Sequence, residues 1–358
     1  MIHLDHASTS LPRSRAATTA AREAFDLPTP GRGRYQAQLR STEIVERARA
    51  AVQSALAFET VCFGSSATHA LSQAIVGLRP VPRRVAIDPL CHNAVRRPVH
   101  ALGVPTWVLP ADRDGRVDVS AAQDAWVPQT DLAVLTHGSN VNGVLQPVAE
   151  LAHLAKRQGA FVVVDAAQTA GTVRAEFDDV DALAFSGHKA LASLPGVGVL
   201  AIRDAARMEP LVLGGTGFDA APATMPRELP ARLEAGTPNL PGIAALGAAA
   251  ASAATWDWRT MNDQLQAALA AAGITVNSIG DLPVASFSVH GSTPTEVEEV
   301  LDRGYEIQVR AGVHCAVSAH AHLRTAESGT VRVSCGRTTT AAELERLTRA
   351  LRELVTSG

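Results

Sequence analysis

Short apolar runs recur through the first half of the chain, each closing on small or polar residues. They are VCF (61–63), RVAID (84–88), TWVLP (106–110), LAVLTH (132–137), FVVVD (161–165), ALAFS (182–186) and VGVLAI (197–202). Runs this short and this continuously apolar predict strands buried on both faces of a sheet. Helical periods lie between most of them: STEIVERARAAVQSALA (41–57), with Ser41-Thr42-Glu43 as its expected capped start, then HALSQAIVGL, the segment opened by PLCHNAV, and VAELAHLAKRQG. Strands alternating with helices predict an α/β fold with one mostly parallel, seven-stranded sheet. The pattern does not give the strand order.

The remaining stretches have a different texture. Residues 1–12 read as an extended arm, and GRGR (31–34) as a basic turn. The Gly/Pro-rich stretch 213–229 reads as a loop near the site, and RLEAGTPNLPG leads into an alanine-rich helix over 243–255. From about residue 258 the chain alternates AALAAAG, VASFSV, PTEVEEVLDRG, EIQVR, TVRVSCG and AAELERLTRALREL, which predicts a compact α+β unit. A length of 358 residues suggests about two domains. The expected division is a large domain over 13–257 and a smaller one built from 258–358 with the arm 1–12.

The strand ends carry the candidate chemistry. FVVVD places Asp165 at the carboxyl end of a buried strand, and ALAFS runs into Ser186-Gly187-His188-Lys189. In open α/β sheets ligands bind at the carboxyl ends of the strands, so Asp165 and Lys189 should open onto one crevice. Only two lysines occur in the whole chain, Lys156 and Lys189. Lys156 sits in the last turn of an amphipathic helix period, an ordinary place for a cation. A crevice lysine beside a crevice carboxylate suits pyridoxal phosphate: the lysine supplies a Schiff base and the aspartate a partner for the protonated pyridine nitrogen. Taken alone, a strand-end lysine can equally face solvent.

Composition narrows the classes. A hydrophobic fraction of 46% with 19% charged residues suits a soluble α/β protein, and a net charge of −3 gives no case for nucleic acid or an anionic membrane. No apolar run approaches the ~20 residues of a spanning helix. Met1 leads directly into IHLDH, without the pattern of a signal peptide. The four cysteines, Cys62, Cys91, Cys315 and Cys335, show no CxxC spacing, so neither a zinc site nor a disulfide framework is expected. The default compartment is the cytoplasm.

DAAQTAG followed by SGHK resembles the class V aminotransferase family of pyridoxal 5'-phosphate enzymes, specifically its cysteine desulfurase and selenocysteine lyase branch. The resemblance extends over nearly the whole chain through LDHAST (4–9), GSSATHAL (64–71), CHNAV (91–95), SNVNGVLQP (139–147), EAGTPNLPG (234–242) and VRAGVHCA (309–316), in the family's order. It implies the fold-type-I architecture of pyridoxal-phosphate transferases. The cofactor phosphate would sit at Ala67 and Thr68, in a loop whose third position, usually Gly or Asn, is here Ser66. His92 would lie over the ring, where an imidazole titrating near pH ~6.5 can move protons. Asn140 and Gln168 would contact the phenolic oxygen, and Ser186 and His188, just before Lys189, would bind the cofactor as well. Thr237 would reach the phosphate of a neighbouring subunit, which implies a homodimer with shared sites.

The resemblance also implies that Arg310 anchors a substrate carboxylate and that Cys315 is the sulfur nucleophile. Asn140 would contact the substrate too. The chain reads HCAVSAH where the family often continues HCAPL, so the loop after Cys315 departs from the pattern. Cys62 and Cys335 read as buried apolar residues, and Cys91 lies beside His92. Three readings stay open. One is a cysteine desulfurase that moves sulfur from L-cysteine to Cys315 and releases L-alanine, with a sulfur-acceptor protein downstream. The second is a lyase acting on selenocysteine or a cysteine S-conjugate. The third is a non-catalytic sulfur-relay scaffold, which the retention of Asp165, Lys189, Arg310 and Cys315 argues against.

Overall fold

A computed structural model describes residues 1–31, 33–174, 177–203, 207–217, 222–252 and 256–357. In chain order the first elements are β1 (Ile2–His3), α1 (Arg15–Phe25), α2 (Gln36–Leu56), β2 (Thr60–Gly64), α3 (Ala67–Val76), β3 (Val85–Ile87) and α4 (Asn93–Ala101). Next come β4 (Thr106–Val108), α5 (Val119–Asp124), β5 (Leu132–Thr136), α6 (Val148–Arg157), β6 (Phe161–Asp165), β7 (Ala182–Ser186) and β8 (Gly198–Ile202). The rest are α7 (Leu240–Ala251), α8 (Trp258–Ala271), β9 (Val284–Phe287), α9 (Pro294–Tyr305), β10 (Ile307–Gln308), β11 (Arg310–Gly312), α10 (Val317–His322), β12 (Thr330–Ser334) and α11 (Ala341–Ser357).

All seven apolar runs are strands of one sheet, in the order β2-β8-β7-β6-β5-β3-β4. The strands from β4 to β7 pair in parallel, and β8 is antiparallel to both β7 and β2. The carboxyl ends of β2, β6 and β7 therefore meet the start of β8 on one edge, where Gly198 pairs with both Gly64 and Ser186. Both faces are covered. Along β6, Val162 and Val164 pack into one apolar layer while Phe161 and Val163 pack into the opposite one. Each such buried side chain contributes about 1.5–3 kcal/mol, so every position of the strand is held apolar until the edge is reached at Asp165.

A second, three-stranded antiparallel sheet, β11-β12-β9, forms with α8, α9 and α11 around its own apolar cluster. Ile2 and Leu4 of the N-terminal arm are buried in that cluster, and β1 pairs with β10. α9 starts with a reciprocal cap in which Thr293 Oγ1 accepts the Glu296 N–H and Glu296 reaches back to the Thr293 N–H. No described helix is long and apolar enough to cross a membrane.

Local expectations fail in three places. α2 begins at Gln36 rather than near Ser41, because the buried Ser41 hydroxyl bonds the carbonyls of Pro28 (2.6 Å) and Ala37 (3.0 Å) instead of capping an end. EIQVR is two strands, since Ile307–Gln308 pair with β1 whereas Arg310–Gly312 pair with β12; Arg310 opens a strand rather than ending one. The alanine-rich helix runs from Leu240 to Ala251, started by Asn239, whose Oδ1 accepts the Gly242 N–H at 3.1 Å. Positions 253–255 of that expected helix, 218–221 of the expected loop and Arg32 of the expected turn lie outside the described residues.

Candidate active site

Asp165 closes β6 at the sheet edge and is buried, its Oδ1 accepting the Ala167 N–H at 3.0 Å. Burial pushes its carboxyl above the usual carboxylate value, against the smaller pull of that N–H and of Lys189. Lys189 follows β7 on the adjacent turn. Burial pushes its amine below the usual lysine value, with Asp165 acting in the opposite direction. Both line one cleft of about 130 Å³ together with Ala67, Thr68, His92, Asn140, Gln168, Ser186 and His188. Lys156 lies elsewhere, its Nζ bonded to Asp181 at 2.8 Å.

The loop between β2 and α3 forms one wall. Ser66 caps α3, its Oγ accepting the His69 N–H at 3.1 Å, and the Ala67 N–H donates to Ser186 Oγ at 2.7 Å. The Ser66 backbone is fully extended (φ −169°), a conformation open to any residue, so serine meets no strain where the family usually has Gly or Asn. The demand for glycine falls instead on Gly198, where a Cβ would come within 2.1 Å of the Ser66 carbonyl carbon. With α3 opening here, the wall is a helix N-terminus edged by the Thr68 hydroxyl, the usual geometry for an anion.

His92 caps α4, with its Nδ1 accepting the Ala94 N–H at 3.0 Å. That bond puts the ring proton of the neutral imidazole on Nε2. Burial, with Lys189, Arg332 and Arg97 nearby, lowers its pKa to about 4. The expectation of an imidazole titrating near neutrality is thereby corrected: His92 is neutral throughout the physiological range. His188 is lowered to about 4 as well, by burial first and then by Lys189 and Arg13, and its Nδ1 pairs with Thr9 Oγ1 at 3.0 Å.

Cys315 is exposed on the short turn between β11 and α10, and both His314 and Cys315 hold left-handed backbone (φ 48° and 55°). Two hydrogen bonds fix that turn to the large sheet's side: Asn140 Nδ2 donates to the His314 carbonyl at 2.8 Å, and the Asn93 N–H donates to the Cys315 carbonyl at 2.8 Å. Cys62, Cys91 and Cys335 are buried, and burial pushes the Cys91 thiol up to about 12.

Arg310 is half exposed and stands 3.8 Å from the Asp5 carboxylate. Asp5 is held more tightly by Arg332, the register partner of Arg310 across the ladder, at 2.5 Å. Arg332 is fully buried and also donates to the Asn140 carbonyl and to Ser8 Oγ, each at 3.0 Å. Sequence reasoning missed Arg332. In TVRVS the register puts Thr330, Arg332 and Ser334 on one face, and the alternation that reads as a solvent face is in fact buried at all three positions. Asp5, in the expected extended arm, is a second omission. Asp88 is a third: it is buried behind the cleft, where it accepts the Thr136 N–H at 2.6 Å and holds that wall in place.

Thr237 does not join the Lys189 cleft. It is exposed in a separate groove on the outer side of the same loop, where Gly64, Ser65 and His69 form part of the wall. Gln168 lines the cleft while its Nε2 ties down the Ala7 carbonyl at 2.9 Å.

The aminotransferase class-V family model matches residues 2–347. A probable cysteine desulfurase of Methanothermobacter thermautotrophicus is 31% identical, the match covering 100% of this chain and 95% of that protein. A cysteine desulfurase of Cereibacter sphaeroides is 31% identical over 93% of this chain and 89% of its own. Among solved structures, the apo cysteine desulfurase from Thermococcus onnurineus NA1 superposes with a TM-score of 0.92 at 28% identity, covering 100% of this chain and 95% of that one.

Proposed function

The chain belongs to the aminotransferase class-V family, and we propose that within it the protein is a pyridoxal-phosphate-dependent cysteine desulfurase. The observation that carries the proposal is the convergence of Lys189, Asp165 and His92 in one cleft, with the exposed Cys315 fastened beside it through Asn93 and Asn140.

The residues present fit the cofactor. Lys189 has an amine depressed by burial, Asp165 is a buried carboxylate suited to a ring-nitrogen cation, and the helix start at Ala67 and Thr68 is suited to a phosphate. Bound there, pyridoxal phosphate supplies an aldehyde that captures amines and a ring that takes up an electron pair. Ser186 holds the phosphate loop through Ala67, and Asn140 and Gln168 fix the cleft floor by their bonds to His314 and Ala7.

Substrate chemistry is assigned to the remaining groups. Arg310, backed across Asp5 by Arg332, offers a planar fork to the carboxylate of L-cysteine. His92, lining the cleft with its proton on Nε2, would donate and recover a proton there. The Cys315 thiolate attacks the substrate sulfur. An S–S bond forms as the C–S bond breaks, the electron pair passes to the carbon side, and that carbon takes up a proton. L-alanine leaves and a persulfide remains on Cys315 for an acceptor.

We extend the proposal to organisation. The separate apolar cluster shared by the arm and the C-terminal elements supports a small domain of residues 1–12 and 258–358 beside a large one of 13–257. The exposed Thr237, one loop away from the Ala67 seat, supports a homodimer in which it serves the neighbouring site; sedimentation at micromolar concentration tests this. The activity itself is tested by incubating the loaded enzyme with L-cysteine and assaying the products. Alanine is expected; pyruvate with ammonia and sulfide would move the assignment to a C–S lyase.

A further inference from the structure

β3 stops one residue short of Asp88 and β6 ends on Asp165, with β5 lying between the two strands. Both carboxylates are buried, Asp88 completely. Asp88 is held from two sides: Oδ1 accepts the Leu90 N–H at 2.9 Å and Oδ2 the Thr136 N–H at 2.6 Å. Thr136 in turn lines the Lys189 cleft and is the ladder partner of Asp165. Two strand spacings, roughly 10 Å, separate the backbones of the two aspartates.

Holding a wall in place does not require a charge, since a neutral acceptor can take the same N–H bonds. A buried carboxylate is costly unless a cation offsets it, and no cation pairs with Asp88 among the described residues. Burial pushes its carboxyl up to about 6, against the hydrogen bonds from Thr136 and Leu90, with Asp165 adding to the rise. It is therefore mostly ionised at neutral pH. The other titratable group beside it is Cys91, a neutral thiol. Lys189 is the one cation acting on Asp165 among the described residues, while Arg332 is engaged by Asp5 and His92 and His188 are neutral. Two buried carboxylates thus face one buried amine. That surplus of negative charge favours a further cation at the Asp165 end of the cleft.

We propose that Asp88 is a positioning residue for the cofactor: a second, ionised carboxylate that acts through Asp165 to hold a positive charge on the ring nitrogen. The proposal rests on the pyridoxal phosphate reading of the cleft and goes beyond it, because that reading asks for one carboxylate only. Asp88 does not line the cleft, so its effect is one of charge over distance. At roughly 10 Å, with the screening usual inside proteins, one charge shifts the binding of another about tenfold.

The test titrates cofactor-free wild-type protein, Asp88→Asn and Asp88→Ser with two compounds, followed by calorimetry. One is pyridoxal phosphate; the other is its analogue with carbon in place of the ring nitrogen. Each variant keeps a neutral acceptor for the N–H groups, and the serine variant stands in if the asparagine one does not fold. The wild type should prefer pyridoxal phosphate. At pH ~8 that preference should fall about tenfold in the variants, and at pH ~5, where Asp88 is largely protonated, the loss should shrink below about twofold. A residue that only braces the wall would weaken both compounds alike. Preference left intact in the variants therefore overturns the proposal, as does a loss equally large at pH ~5 or a wild type with no preference. Wild-type protein that binds neither compound would overturn the cofactor reading, and the proposal with it.

Discussion

The backbone N–H of Asn93 donates to the carbonyl of Cys315 at 2.8 Å, so the exposed thiol is fastened to the residue that follows His92. Cys315 belongs to a turn of the small sheet and His92 to a helix of the large one, and this bond sets their separation. Together with the Asn140–His314 bond it makes the nucleophile's position a property of both sheets.

Lys189 should be the one lysine linked to the cofactor. Borohydride reduction of the loaded protein should bleach its visible absorbance, and peptide mapping should then find the label on Lys189. Lys156 is engaged by Asp181 outside the cleft, so a label there, or protein that takes up no cofactor, would end the pyridoxal phosphate reading.

Asp165 makes a pH-dependent prediction for the cofactor-free protein. Its folded-state pKa lies above the ordinary value of 3.8, so its contribution to folding is favourable only while it is protonated and is lost as pH rises through the folded value. Asp165→Asn removes that loss and keeps an acceptor for the Ala167 N–H. Burial outweighs the attraction of Lys189 as the cause of the shift, so the variant should gain on balance. Melting temperatures of the two proteins should coincide near pH ~4 and diverge in favour of the variant as pH rises. A gap that stays constant or reverses would contradict the assignment. In the loaded enzyme the same change should impair turnover more than cofactor retention.

His92 is both a helix cap and a proton carrier, and two substitutions separate these roles. Asparagine can cap α4 where alanine cannot, so His92→Ala should cost about 1 kcal/mol of stability and His92→Asn far less. Both should lower kcat by about 10²–10⁴. Because His92 titrates at about 4, no acid limb of kcat/KM in the neutral range should belong to it. An asparagine variant with unimpaired kcat would leave His92 a purely structural cap.

Arg310 and Arg332 should separate by readout. Arg332→Ala breaks a buried ion pair with Asp5 and should cost about 3–5 kcal/mol, seen in denaturant melts. Arg310→Ala, at a half-exposed position, should leave stability within about 0.5 kcal/mol while raising the KM for L-cysteine. Unchanged KM in Arg310→Ala would transfer the carboxylate contact to Arg332.

The sheet was legible because its strands are buried on both faces, which forces continuous apolar runs such as FVVVD and ALAFS. Strand order was not, since β8 inserts between β2 and β7 through pairings that leave no local trace. Asp165 and Lys189 stand out as polar residues that end such runs. Arg332 stayed hidden because its alternation reads as a solvent face when only one strand is in view. It is buried through contacts with Asp5 and Ser8, more than 300 residues earlier in the chain. Thr237 is a different case: its expected role depends on a second subunit, and within one chain it faces another groove.

The central claim is sulfur transfer to Cys315. The direct measurement is persulfide trapping during turnover with L-cysteine, using an alkylating probe, with the labelled site mapped by mass spectrometry. The account predicts persulfide on Cys315 alone, since Cys62, Cys91 and Cys335 are buried. It also predicts that Cys315→Ala still binds L-cysteine but forms alanine slower by orders of magnitude. A Cys315→Ala enzyme that releases product at near the wild-type rate, with no persulfide on Cys315 in the parent, would contradict it.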